Sequence, residues 1–266
     1  MKLYMKAASS YDRAEELAAT KKELKQNYGV DSRRKDGFIL ASLLGALRLK
    51  DSIEIIESDE LYLTSGFGNI NVLIKTNDYV AEKKGNLKLF DFLNMLGNTT
   101  NYYVAQELGI KAKSIFQISD NFTYFHSLIS IYASLSMSKN DAILGSIDVV
   151  SQDIEVLKRV AGVDEKSKVK SSVNFQKYSL NASNAICSIE FDTVFYTYDA
   201  IVQRLKNEES KIITSSRCDK LAYERVEFYY ETAVNEAINE AIKHRENRVF
   251  VECYEGKYKC LKIKIL

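Results

Sequence analysis

A chain of 266 residues, 46% hydrophobic and 27% charged, can bury one sizeable core, and a net charge of +1 with basic and acidic residues interspersed gives no single-sign field for nucleic acid. The four cysteines, Cys187, Cys218, Cys253 and Cys260, lack CxxC spacing and are joined by only two histidines, which argues against a zinc site or disulfide framework. No apolar run reaches the roughly 18 residues of a membrane span and the N-terminal run is too short for a signal peptide, so a cytoplasmic protein with no metal and no cofactor is expected.

In chain order, residues 2–8 predict a short strand, and Leu17, Ala18 and Leu24 fall on one face of a surface helix. Residues 31–49 predict a second helix, capped by Asp31 or Ser32, with Ala41, Ser42, Gly45 and Ala46 as a small-residue face for close packing. Residues 60–65 read as a strand ending in the turn Gly66-Phe67-Gly68-Asn69, followed by a helix through Val72. Asn98, Thr99 and Thr100 offer caps for a helix through Val104 and Leu108, and Gly109 suits a left-handed C-terminal cap.

A strand at 114–118 leads into residues 122–137, apolar on almost every side and predicted to be a buried helix. Residues 142–150 form a near-continuous apolar strand, as in a sheet covered on both faces. The charged stretch 164–170 predicts an exposed loop. Strands at 185–191 and 194–198, a long helix over 219–245, and strands at 249–253 and 259–265 complete the chain. Alternating strands and helices predict an α/β architecture, and the absence of a low-complexity linker predicts one domain, residues 1–266.

Five motifs in order carry a resemblance. Thr64-Ser65-Gly66-Phe67-Gly68-Asn69 resembles the glycine loop of β-ketoacyl synthases, and Asn94-Met95-Leu96-Gly97-Asn98 with Ala105-Gln106-Glu107-Leu108-Gly109-Ile110 resembles their "M-x-N … lGikG" segment. Residues 114–119 match the strand before the nucleophile elbow, Ala142-Ile143-Leu144-Gly145-Ser146-Ile147-Asp148 the "vmlaGgae" strand, and residues 181–190 the "GEGAaxlvLE" strand. The resemblance spans about residues 36–191 and implies a thiolase-like layered fold, with a mixed sheet, a buried central helix, an N-terminal-like half over 1–163 and an abbreviated second half over 164–266. Val251-Glu252-Cys253-Tyr254-Glu255-Gly256 is set against the family's first histidine segment.

Condensation by that family needs an elbow thiolate to carry the acyl chain and two histidines to polarise the malonyl thioester. Here the resemblance puts Asn121 at the elbow, and an amide forms no thioester. Chain-length factors, the non-condensing partners of ketosynthases, are similar in carrying an amide there. The implied protein is an inactive ketosynthase-like subunit, a homodimer or a heterodimer with a complete ketosynthase, with an acyl carrier protein as a further partner. Gly66, Gly68, Asn98, Asn121, Phe122, Phe125 and Gly145 are its expected acyl-pocket or structural residues.

Two alternatives remain open: acyl transfer from Ser119, close in sequence to Asp120 and His126, or from Cys253; and a structural homodimer without an acyl ligand. His126 also reads as a core histidine beside Tyr103 or Tyr132, and Gly66-Phe67-Gly68 as a turn whose glycines are structural, since it lacks the lysine of a P-loop.

Overall fold

The fold is described from a computed structural model, which covers residues 1–12, 16–82, 88–119, 121–150, 154–160, 163, 167–229 and 231–266. Strand β1 (Lys2–Tyr11) is followed by helices α1 (Leu17–Tyr28) and α2 (Gly37–Ser52). Next come β2 (Glu60–Thr64), α3 (Ile70–Ala81), α4 (Leu89–Met95), α5 (Gly97–Leu108), β3 (Ser114–Gln117), α6 (Thr123–Ser138) and β4 (Ala142–Asp148). Helix α7 (Ile154–Val160), β5 (Ser172–Ser179), β6 (Cys187–Phe191), α8 (Tyr198–Leu205), β7 (Lys211–Ser215) and β8 (Glu224–Val226) follow. Helix α9 (Glu231–His244), β9 (Arg248–Tyr254) and β10 (Lys257–Ile265) finish the chain.

The strands form one mixed sheet in the order β3-β2-β4-β5-β1-β6-β10-β9-β7-β8. Read inward from its two edges, this is the same pattern twice. β2 lies parallel to β3 and β4, and β5 antiparallel to β4 and β1; β7 lies parallel to β8 and β9, and β10 antiparallel to β9 and β6. Strands β1 and β6 pair antiparallel where the two blocks meet. The pairing gives β5 to the first block, whereas the sequence division at residue 163 put it with the second. The second block is the shorter: residues 216–223 join β7 to β8 where the first block carries three helices, and β9 turns into β10 through Glu255 and Gly256, both at positive φ as a tight type I′ hairpin demands.

Helices α6 and α9 are central. One buried cluster joins Phe125, Leu128 and Ile131 of α6, Ala233, Ala237 and Ile238 of α9, and strand residues of both blocks, including Leu3, Tyr178, Ile189 and Phe250. Helix α2, nearly all buried, covers the opposite face of the first block with α5, and α8 covers that of the second. A Cβ on Gly45 of α2 would stand 2.5 Å from Val173 and 2.8 Å from Phe175, so the small-residue face is what allows this helix to lie on β5.

Several expectations are corrected. Helix α2 starts six residues later than predicted, because Asp31 accepts from the Arg33 amide and Asp36 caps instead, accepting from the Ile39 amide at 3.0 Å. Asn98 is exposed and α5 has no side-chain cap. Helix α6 is buried all round only at its head, and beyond that along one face: Leu135 is buried, but Met137 in the last turn is 88% exposed. Residues 194–198 make a single bridge, Tyr196 to Tyr258, because the carbonyls of Asp192, Thr193 and Val194 turn to the Lys259 ammonium. The long helix shrinks to α9, since residues 224–226 add to the sheet beside β7. Of the predicted 164–170 loop, residues 164–166 lie outside the described residues, Ser167 is buried and Lys168 bridges to Phe228.

Strand β5 was missed altogether. Val173 and Phe175 face α2, but the alternate residues Asn174 and Gln176 are polar and buried, because the Asn239 amide donates to Asn174 and the Gln176 amide donates to Asn235 of α9. Lys177 is buried against Asp59 at 2.8 Å and Asp141 at 3.5 Å.

Candidate functional site

The head of α6 is a sharp turn. Phe122 stands at its N-cap with φ 57°, a left-handed conformation unusual for a bulky residue, and Asn121 immediately precedes it. Ser119 and Thr123 brace the turn: the Ser119 hydroxyl donates to the Asn121 carbonyl at 2.8 Å and lies 2.9 Å from the Thr123 hydroxyl, which reaches back to the Ser119 carbonyl. Asp120 lies outside the described residues.

The Asn121 side chain is occupied. Its Oδ1 accepts from Arg217 Nη1 at 2.5 Å. Arg217, from the loop after β7, is 14% exposed, lies over the rings of Tyr229 and Tyr254 at 4.9 and 5.3 Å, and has its Nε 3.8 Å from a Glu252 carboxylate oxygen. A delocalised planar cation stacked on aromatic rings and backed by a carboxylate is held firmly. The spacing-based reading missed Arg217. The usable signal was the repeat Thr64-Ser65 and Thr214-Ser215, which ends the second strand of each block.

The repeat extends to hydrogen bonding. Ser65 donates to Asp148 Oδ1 at 2.9 Å, and Ser215 donates to Glu252 Oε1 at 2.6 Å, each carboxylate standing near the end of the fourth strand of its block. Asp148 Oδ1 also accepts from the amides of Gly66 at 2.9 Å and Phe67 at 3.3 Å. The glycine loop therefore holds a carboxyl group supplied by the chain itself. Gly68 has φ +61°, and a Cβ there would stand 2.8 Å from Ile118.

Among the described residues Asp148 Oδ2 has no hydrogen-bond partner. Burial pushes the Asp148 carboxyl up to about 7, against the pull of Ser65, Gly66 and Phe67. Glu231, the first residue of α9, accepts from the Tyr124 amide at 3.1 Å and from Ser146 at 3.4 Å, so it ties the heads of α6 and α9 together. Burial first, and the Asp148 charge second, raise it well above the carboxylate range. Burial also raises Glu252, opposed by Arg217.

Ser119 and His126 meet, with Oγ to Nδ1 at 3.5 Å, a long contact for a hydroxyl already engaged by Asn121 and Thr123. The histidine's ring neighbour is Phe195, not Tyr103 or Tyr132, at 6.5 Å between centroids. Phe195 also packs on Phe122 at 5.2 Å, and the loop bearing it is tethered by Lys259. Burial, then the Lys259 charge, lowers the His126 pKa. Phe125 is buried one turn on, edge-to-face with Phe122.

Cys253 is elsewhere. It faces the α8 side of the sheet with Val249 and Val251, while its neighbour Glu252 faces Arg217. A Cβ on Gly145 would stand 2.5 Å from Phe175 and 2.6 Å from Leu63, a close strand contact. In the segment around Asn98 the buried amides are Asn94 and Asn101; Asn94 donates to the Arg34 carbonyl, and its own carbonyl accepts from Asn69. The basic residues of the 33–35 and 111–113 segments are engaged: Arg33 with Asp31, Lys111 with Glu57 and Lys113 with Glu60.

No protein-family model and no curated protein sequence matches the chain. Solved structures do. The ishigamide ketosynthase/chain length factor is 9% identical with a TM-score of 0.73, covering 100% of both chains. The ketosynthase ApeO in complex with its chain length factor ApeC from Xenorhabdus doucetiae is 12% identical with a TM-score of 0.58, covering 98% of this chain and 99% of that one. The 3-oxoacyl-(acyl carrier protein) synthase III FabH from Pseudomonas aeruginosa PAO1 is 13% identical with a TM-score of 0.56, covering 100% of both chains. Among the described residues no helix is long and apolar enough to cross a membrane. At these identities the match is one of architecture, and the chain has the thiolase-like fold of the ketosynthases and chain-length factors.

Proposed function

We propose that the protein is a non-condensing ketosynthase-like subunit that docks on a condensing partner, or on an acyl carrier protein, in fatty-acid or polyketide-type biosynthesis. One observation carries this reading. At the head of the central helix, where condensation needs a thiolate, the side chain is the amide of Asn121, held by a stacked arginine. The next residue, Phe122, carries the left-handed turn and is buried beneath Phe195, and neither residue can hold an acyl group as a thioester.

The whole chain, 1–266, works as a single unit in this reading, with the abbreviated block supplying Arg217 and Glu252. The sheet edge at β3 pairs with a second copy or a complete ketosynthase, in keeping with its position as an end strand with polar groups open to one side.

Native purification with a complete ketosynthase and an acyl carrier protein supplied tests the proposal: a stable complex with either is expected. Incubation with acyl-CoA followed by intact mass separates the alternative, favoured by the Ser119 to His126 contact, of acyl transfer from Ser119. No adduct is expected, and an acyl adduct on Ser119 or Cys253 overturns the non-condensing reading.

A further inference from the structure

Helix α4 is amphipathic in reverse. Leu89, Phe92 and the C-cap residue Leu96 recur at i, i+3 and i+7, and this apolar stripe faces outward: the three are 65%, 45% and 41% exposed. The polar Asn94 points inward instead, 6% exposed, donating to the Arg34 carbonyl at 3.2 Å while its own carbonyl accepts from Asn69 at 2.9 Å. A bridge of 3.0 Å from Lys75 of α3 to Asp91 pins the helix from the side. These bonds fix which face of α4 looks out.

Two cations stand at the start of the stripe. Lys88 is the N-cap residue of α4 and is exposed; Arg34 is exposed too, with its guanidinium 4.7 Å over the ring of Phe90. Among the described residues neither has a carboxylate partner, whereas Arg33 is bonded to Asp31 and Lys75 to Asp91. Helix α3 also carries Asp78 and Glu82 toward its end. Leucine and phenylalanine on one outward stripe, with long cations beside them, can enter the acyl boundary of a bilayer while the charges stay among the headgroups. The charge complementarity selects anionic lipid. By themselves the exposed parts of Leu89, Phe90, Phe92 and Leu96 offer roughly 400 Å², about half of what each partner buries in a stable protein interface.

We propose that α4 is a membrane-surface anchor, which lays its outer stripe into the interface of a bilayer containing anionic phospholipid and sets Arg34 and Lys88 on the lipid phosphates. This is attachment to a surface; among the described residues no helix is long and apolar enough to cross a membrane. The anchor uses neither Asn121 nor Arg217, so it stands apart from the non-condensing reading.

The test uses the full chain with vesicles of phosphatidylcholine alone or mixed with phosphatidylglycerol. Sedimentation with the mixed vesicles, little with phosphatidylcholine, and release by salt are expected. Leu89→Glu combined with Phe92→Glu should weaken vesicle binding about tenfold or more, and so should Arg34→Glu combined with Lys88→Glu. All four side chains are exposed, so the urea midpoints of both variants should match the wild type. The chain has no tryptophan, and Phe92→Trp therefore supplies a single reporter whose emission should move to the blue with mixed vesicles and not without them. A chain left in the supernatant at low salt, equal sedimentation with both kinds of vesicle, or charge and stripe variants that bind like the wild type each overturn the proposal. So does a blue shift produced without lipid, by raising the protein concentration or by adding an acyl carrier protein, because a protein then covers the stripe. Sedimentation of the unaltered chain decides even where a variant fails to fold.

Discussion

Asp148, Glu231 and Glu252 are buried carboxyls around the head of α6, and the first of them combines three donors on one oxygen with none on the other. The native state holds the Asp148 proton up to about 7, against 3.8 in the unfolded chain, so the unfolded chain binds fewer protons between these values. Stability from this group is therefore greatest below the ordinary carboxyl range and is lost as pH rises through about 7. The displacement corresponds to about 4 kcal/mol, as an order of magnitude. Urea midpoints at pH 5 and pH 8 should differ more for the wild type than for Asp148→Asn; equal slopes in the two proteins would contradict this account. The tether on Phe195 gives a second expectation. Lys259→Met removes both a positive charge and the hold on the 192–194 carbonyls, so the His126 pKa, measured by NMR, should rise. An unchanged value would mean that the ring is shielded by something other than Lys259 and its loop.

At the level of elements, helix α2 and strand β4 show how small residues set distances between layers. Gly145 lies where Phe175 and Leu63 leave no room for a methyl group. Gly145→Ala should destabilise by about 1–3 kcal/mol, the usual range for overpacking a core. Thermal or urea unfolding checks this, and a neutral effect would mean that the Phe175 ring can withdraw. Strand β5 shows why pattern reading failed at an element. Its polar face looks exposed in the sequence, but Asn174 and Gln176 are buried because α9 supplies amide partners from more than fifty residues away. Hydrophobic alternation reports burial only where the covering layer is apolar. The predicted helix over 219–245 failed for the opposite reason: Tyr and Val at helical spacing in 223–229 also suit a strand, and β7 offers an edge to pair with.

For the whole molecule, the open edge at β3 and the apolar surface beside it lead to a further expectation. Ile118, just beyond β3, is 51% exposed. Light scattering should give a dimer for the protein alone, or for its complex with a ketosynthase, and Ile115→Lys on β3 should weaken it; a monodisperse monomer under both conditions would contradict pairing at that edge. The internal repeat is the other feature of this scale. Two blocks of equal strand order meet at β1 and β6, and each ends its second strand in Thr-Ser with the serine on a buried carboxylate.

The sequence by itself determined the α/β alternation, the early strands, the turn after β2 at Gly66, the C-terminal cap at Gly109, and the absence of a cysteine from residues 114–128. Those features are written in residues close together in the chain: glycines at turns, apolar runs, an amide in a short motif. Only the tertiary structure decided that Arg217 holds Asn121, that Asp148 fills its own glycine loop, and that Cys253 lies on the other face of the sheet from His126. These depend on which strands become neighbours. Pairing across 96 positions, as between Asn121 and Arg217, leaves no periodic trace in the chain, because it is fixed by strand order and helix packing and not by local preference.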